Sequence, residues 1–128
     1  MSATNMSATH RRVLVVDNDP AERERLAGLL TAEGHAVRTA ASTPEALEAA
    51  ASFRPDVITL EMDLPSPGGT VFYARLRRSP ALRETPVVVV SGVGPRPARL
   101  TRRVTTHQKP VAPAALLDTI RRAVPAQA

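Results

Sequence analysis

At 128 residues, with 43% hydrophobic residues and no cysteine, the chain has the length of one domain that can bury its own core. A disulfide framework and a thiolate zinc site are excluded, and a reducing cytoplasm is the natural compartment. No stretch approaches the roughly 18 to 20 continuous apolar residues of a membrane span, and the N-terminus lacks the apolar core of a signal peptide. The net charge of +5 is uneven: residues 1–70 hold six arginines against ten acids, residues 71–128 eleven Lys or Arg against two acids. A basic half can meet nucleic acid or acidic proteins, but nucleic acid is not the expected partner, because aromatic residues for base stacking make up only 2% of the chain.

Residues 1–10, with the near-duplicates Met-Ser-Ala-Thr-Asn and Met-Ser-Ala-Thr-His, are expected to be a disordered leader, with Met6 as an alternative start. Residues 11–124 then form the domain and residues 125–128 a disordered tail. Val13 to Val16 is a short apolar run suited to a strand covered on both faces. Pro20 opens a helix to Ala32 with Leu26, Leu29 and Leu30 on one face, and Gly34 stops it. His35 to Thr39 reads as a short strand. Thr43 before Pro44 predicts an N-cap hydroxyl and a helix that carries Leu47, Ala50, Ala51 and Phe53 and ends before Pro55. Val57 to Leu60 is the next strand. Pro65, Pro67, Gly68 and Gly69 make a turn, after which Val71, Phe72 and Leu76 give a helix its apolar stripe.

Val87 to Val90, four valines after Pro86, predict a buried strand. Gly92, Gly94, Pro95 and Pro97 then crowd the place of a fourth helix and leave about Ala98 to Arg103 for it, a length that is marginal without tertiary support. Val104 to Gln108 supplies a last strand, and Pro113 to Val124 a last helix with Leu116, Leu117 and Ile120 inward. Five strands alternating with helices imply an α/β fold with a parallel sheet, right-handed crossovers and helices on both faces.

In such a sheet, ligands bind outside the carboxyl ends of the strands. Asp17 and Asn18 end the first strand, Glu61 the third, Ser91 the fourth and Lys109 the fifth, so five polar groups converge on one rim. Three stretches carry a wider likeness: Val13 to Pro20, Pro55 to Pro65, and Val87 to Gly92 with Lys109-Pro110. Together they resemble the receiver domain of two-component response regulators, over Arg11 to Val124. The resemblance implies a flavodoxin-like, doubly wound sheet in the order 2-1-3-4-5, a cytoplasmic, non-enzymatic role in phosphorelay signal transduction, and a protein partner, either a histidine kinase or a downstream regulator.

By the same resemblance, Asp17 and Asn18 occupy the places of two magnesium-holding acids, Glu61 that of the phosphoacceptor aspartate, Ser91 that of the switch hydroxyl and Lys109 that of the paired lysine. The Lys109-Pro110 bond is expected to be cis. Thr106 stands where the family carries a switching aromatic. Any metal would be held by Asp17 and Glu61 with Asp63, whose backbone carbonyl is the expected ligand; Asp63 is otherwise a turn acid.

Three departures set the functional expectation. Glu61 is one methylene longer than aspartate, and a misplacement of about 1 Å can cost on the order of a hundredfold in phosphoryl transfer. Asn18 is neutral where magnesium prefers carboxylates, so no cofactor is expected beyond weakened Mg2+ binding. The proline-broken segment before Lys109 alters the usual output face. The reading is an atypical receiver that acts by protein–protein interaction without phosphorylation, Glu61 either standing in for the phosphorylated residue or leaving a fixed docking surface. A phosphoryl-accepting, magnesium-dependent receiver is the alternative. A nucleic-acid module would use Arg96, Arg99, Arg102, Arg103, Arg121 and Arg122. Ser91 capping a strand end, and Lys109 in a structural pair with Asp17, stand beside these as plain structural roles. His10, His35 and His107 show no ligand spacing.

Overall fold

The computed structural model describes residues 10–92 and 104–124. Nearly all of the expected leader, the tail, and the short helix at Ala98 to Arg103 with its arginines lie outside the described residues. In chain order the elements are β1 (Arg12–Val16), α1 (Pro20–Ala32), β2 (Ala36–Ala40), α2 (Thr43–Phe53), β3 (Val57–Leu60), α3 (Gly69–Arg78), β4 (Val87–Ser91), β5 (Val104–Gln108) and α4 (Pro113–Ala123). The five strands form one sheet in the order β2-β1-β3-β4-β5, and every pair is parallel.

Alternation along the strands builds two cores. Side chains of successive strand residues point to opposite faces, so Leu14, Val16, Ile58, Leu60, Val87 and Val89 pack under α2 and α3 with Ala46, Ala50, Phe72 and Leu76. Val13, Val15, Val57, Val88 and Val90 pack under α1 and α4 with Leu26, Leu30, Leu116 and Ile120. A strand covered on both faces needs apolar residues at every position, which is why β1, β3 and β4 read as unbroken runs. Each buried Val or Leu contributes roughly 1.5 to 3 kcal/mol.

One buried position departs from this rule. Thr59 shares the face of Val57, is 1% exposed, and its Oγ1 has no hydrogen-bond partner among the described residues. A buried hydroxyl without a partner costs free energy that an apolar group of the same shape does not. Thr59→Val should therefore raise stability by about 1 kcal/mol, seen as a higher urea midpoint at unchanged slope.

Local chemistry explains the element ends and corrects four expectations. Asp19 caps α1 by accepting from the Ala21 amide at 3.1 Å, with Pro20 behind it, and Gly34 leaves the helix at φ +96°, a conformation that favours glycine. The N-cap of α2 is Ser42, not Thr43: Ser42 Oγ accepts from the Glu45 amide at 3.4 Å, and Glu45 Oε1 accepts from the Ala41 amide at 2.8 Å. Ser-x-x-Glu is thus the operative capping pattern. Thr43 is buried inside the first turn and donates to Gly68 O at 3.1 Å. The second strand starts at Ala36 rather than His35, because the His35 amide still bonds Leu30 O of the helix exit.

On α3, Phe72 and Leu76 are buried but Val71 is 37% exposed. Counting from Phe72, the inward stripe runs at a spacing of four and leaves Val71 on the flank. Gly69 is the first residue of α3 rather than part of the turn. At the far end of the molecule, Arg11 donates to Val124 O at 3.0 and 2.8 Å and ties the start of the domain to the end of α4. No helix of the described residues is long and apolar enough to cross a membrane.

Candidate functional site

The parallel ladder continues past the strand ends and sets the backbone of the rim. Asp17 N donates to Ala40 O at 3.0 Å, Glu61 N to Val16 O at 2.9 Å and Lys109 N to Ser91 O at 3.0 Å. Each residue after an apolar run is thereby held in register with its neighbour, and its side chain emerges at one edge. Asp17, Glu61 and Ser91 are all buried there.

Their side chains form one network. Lys109 Nζ lies 2.8 Å from Asp17 Oδ2 and 2.8 Å from Glu61 Oε1. Ser91 Oγ donates to Glu61 Oε2 at 2.5 Å, and the Asp63 amide donates to the same oxygen at 2.7 Å. Asp17 Oδ1 accepts from the Asp19 amide at 2.9 Å, and Arg23 donates to the Asp17 carbonyl at 2.8 Å. The Lys109–Pro110 bond is cis. Burial alone would raise the Glu61 carboxyl, but donors from Lys109, Ser91 and the Asp63 amide outweigh it and hold the group below its ordinary value. Burial likewise pulls Lys109 down, and Asp17 and Glu61 together hold it above its ordinary value. Both groups are therefore charged at neutral pH.

Other sequence-derived candidates sit elsewhere. Asn18 is exposed and makes no hydrogen bond among the described residues, because the chain turns outward there to enter the Asp19 cap. Asp63 takes part through its amide, and its side chain is exposed. Thr106 is exposed on β5. His107 shares a 2.7 Å hydrogen bond with Thr119 of α4, while His35 Nδ1 accepts from the Arg11 amide at 3.1 Å. Arg121 and Arg122 are exposed and both pair with Asp118. Arg23 and the Asp63 amide were not foreseen as parts of the rim; nothing in the spacing of Arg23 signals it, since it reaches back to a carbonyl six residues earlier. A cleft of about 680 Å³ between β5 and α4, lined by Pro86, Val104, Thr105 and Thr119 among others, opens at the amino ends of the strands, away from this rim.

Asp17 and Glu61 are the two buried carboxylates of this rim that would hold a magnesium ion. An ionised carboxylate has about four acceptor positions; protein donors take two on Asp17 and three on Glu61, which leaves part of that capacity open. In the loop after β1, Asn18 is exposed and neutral, and the Asp19 carboxylate caps α1. Among the described residues no three acids or histidines are grouped to hold a metal.

A profile of the response regulator receiver domain matches residues 13–121. The chain belongs to this family. Among curated relatives, Protein Rrf1 of Nitratidesulfovibrio vulgaris is 33% identical over 113 residues, covering 88% of this chain and 82% of Rrf1. Response regulator PleD of Caulobacter vibrioides is 37% identical over 89 residues, and the match spans 70% of this chain but 20% of PleD. A protein-glutamate methylesterase/protein-glutamine glutaminase of Xanthomonas oryzae is 38% identical over 92 residues, 25% of its length. The receiver fold itself superposes on the chemotaxis protein CheY4 of Vibrio cholerae with a TM-score of 0.80 at 28% identity, over 88% of this chain and 97% of that one. Receiver domains work by contact with other proteins such as kinases or effectors, and the rim built by Asp17, Glu61, Ser91 and Lys109 lies where ligands meet a sheet of this topology.

Proposed function

We propose that this receiver domain is atypical: Glu61 stands at the phosphoacceptor position, accepts no phosphoryl group, and the domain acts by protein–protein interaction, with no catalytic turnover of its own. The observation that carries the reading is the Glu61 carboxylate, which already engages the Ser91 hydroxyl and the Lys109 ammonium. Those are the two groups that the family's likeness assigns to the phosphorylated aspartate. The extra methylene lets a carboxylate reach them from the strand end. It also points both carboxylate oxygens at donors, which leaves no oxygen in position for in-line attack on a phosphorus atom.

The same contacts favour a permanent stand-in for the phosphorylated state over a merely inert pocket, because they tie β1, β3, β4 and the end of β5 into one arrangement. The partner is a protein, either a histidine kinase or a downstream regulator, and the cytoplasm is the matching compartment. A nucleic-acid role draws less support, since Arg121 and Arg122 are already paired with Asp118.

Intact mass after incubation with a small phosphodonor and magnesium tests the reading on the wild type and on Glu61→Asp in parallel. The expected result is no gain by the wild type and one phosphoryl gained by Glu61→Asp. Gain by neither would keep the reading and assign the block to Asn18 as well. Gain by the wild type would overturn it in favour of the magnesium-dependent alternative.

A further inference from the structure

At the amino ends of the strands, opposite the carboxyl rim, the chain enters β1 through Arg11, beside the turn from α1 into β2. The Arg11 carbonyl accepts from the Ala36 amide at 3.0 Å, and the Arg11 amide donates to His35 Nδ1 at 3.1 Å. The His35 amide is committed to Leu30 O of the helix exit, and it is the His35 side chain that accepts here. Pinned on both sides, Arg11 is only 7% exposed and sends its guanidinium to the end of α4. Its Nε and Nη2 donate to Val124 O at 3.0 and 2.8 Å, and Nη1 donates to His10 O at 2.8 Å. The His10 ring lies over Gly34, where an added Cβ would meet its Nε2 at 2.6 Å. One residue thus fastens the start of the domain, the turn after α1 and the end of α4.

The geometry points to a pH-sensitive clasp: His35 holds Arg11 only while its Nδ1 carries no proton, and proton uptake there releases Arg11 and with it the end of α4. A protonated Nδ1 is a donor and cannot accept from an amide, and the new charge would stand beside the buried Arg11 guanidinium. The charged groups that act on His35 pull in both directions. Burial, His10 and Arg11 oppose its protonation, Glu33 at the end of α1 favours it, and the balance holds His35 below its ordinary value of 6.5. From α4 the contribution is the neutral Val124 carbonyl. For a histidine held below its unfolded value, the stabilisation is complete above that value and is lost as pH falls through the folded one. The clasp is therefore closed at neutral pH and opens on acidification. None of its groups belongs to the carboxyl rim, so the device operates whether or not Glu61 accepts a phosphoryl group.

NMR of the labelled full chain between alkaline and mildly acidic pH tests the inference. The His35 ring signals are expected to titrate below 6.5, and the Arg11 amide and Nε–H signals should move with the same midpoint. The exchange protection of the Val124 amide, which donates to Ile120 O, should fall about fivefold across that midpoint, the factor that accompanies loss of one hydrogen bond. His35→Asn places an amide oxygen near the position of Nδ1 and does not titrate, so the Arg11 signals and the Val124 protection should stay constant over the range. His35→Leu supplies no acceptor and should show the acid-state Arg11 signals already at alkaline pH. Arg11 signals that stay in place while His35 titrates, or that follow the His10 midpoint, would overturn the inference, as would an unchanged pH response in His35→Asn. If His35→Leu fails to fold, the wild type and His35→Asn decide.

Discussion

Lys109→Met is expected to lower the unfolding free energy by about 3 kcal/mol at neutral pH, because removing one partner of a buried ionic cluster leaves its opposite charges uncompensated. The low end of the usual range applies, since the Lys109 side chain keeps 20% of its surface in water while its partners are almost fully buried. The pH dependence distinguishes this cause from simple loss of packing. In the wild type, Glu61 is held below its ordinary value of 4.5. Its contribution is fully present above the unfolded value and is lost as pH falls through the folded one. In the variant the ammonium no longer opposes burial, so the Glu61 carboxyl is held higher than in the wild type. The folded variant then takes up a proton more readily than the folded wild type, and its stability rises relative to the wild type as pH falls. Urea titrations at pH 8 and pH 5 should show the gap narrowing. A gap that stays constant would mean that the lysine acts through its aliphatic stem. At the alkaline end, Lys109 is held above its ordinary value of 10.5. Its contribution is complete below that pH and fades only as pH rises through the folded value.

Gly69→Ala is expected to cost about 2 kcal/mol, although alanine is ordinarily the better residue in a helix by up to about 1 kcal/mol. A Cβ at this position would lie 2.8 Å from Met62 Cα, 3.0 Å from Met62 O and 3.1 Å from Glu61 O. All three are backbone atoms of the segment that carries Glu61, so no side-chain rotation relieves the overlap. The loop from Glu61 to Gly68 must shift as a body, and with it the Glu61 carboxylate that Ser91 and Lys109 hold. The urea midpoint should fall, and the nitrogen-15 NMR signal of the Lys109 ammonium, the only lysine in the chain, should move in the same variant. A normal midpoint would show that the first turn of α3 can slide away at little cost. A lowered midpoint with an unmoved ammonium signal would show that the loop absorbs the strain before it reaches Glu61.

Both predictions concern contacts that only partly showed in the order of residues. The strands were legible because three of them are buried on both faces: Val13 to Val16, Val57 to Leu60 and Val87 to Val90 have no polar interruption except Thr59, and their ends declare themselves by the first charged or hydroxyl residue. That residue has to stand at the rim, so Asp17, Glu61 and Ser91 could be placed from apolar runs and a topology rule alone. Lys109 could not be placed from an apolar run, because β5 is largely polar and is an edge strand of the sheet; its place rested on the Lys-Pro pair and the family resemblance. The choice between Ser42 and Thr43 as the α2 cap was not legible from a single hydroxyl before a proline. It turned on whether Glu45 reached back to close the reciprocal bond and on the Gly68 carbonyl that claims Thr43 from a different loop. Val71 looked inward by type and is outward by phase, and Asn18 is polar at a strand end yet faces away from the site, since the next residue is already capping a helix.

The amino-acid sequence by itself determined the alternation of strands and helices, the parallel sheet that follows from it, and the set of polar residues at the carboxyl rim, because periodicity and turn chemistry act over a few neighbouring residues. The tertiary structure alone decided which oxygen meets which donor. The bond from Ser91 to Glu61 spans 30 residues and the pair of Lys109 with Asp17 spans 92, and each depends on strand register and on ångström-scale reach. One methylene at position 61 changes no pattern in the chain, yet in the folded protein it is the length that carries a carboxylate to the ammonium and the hydroxyl at once.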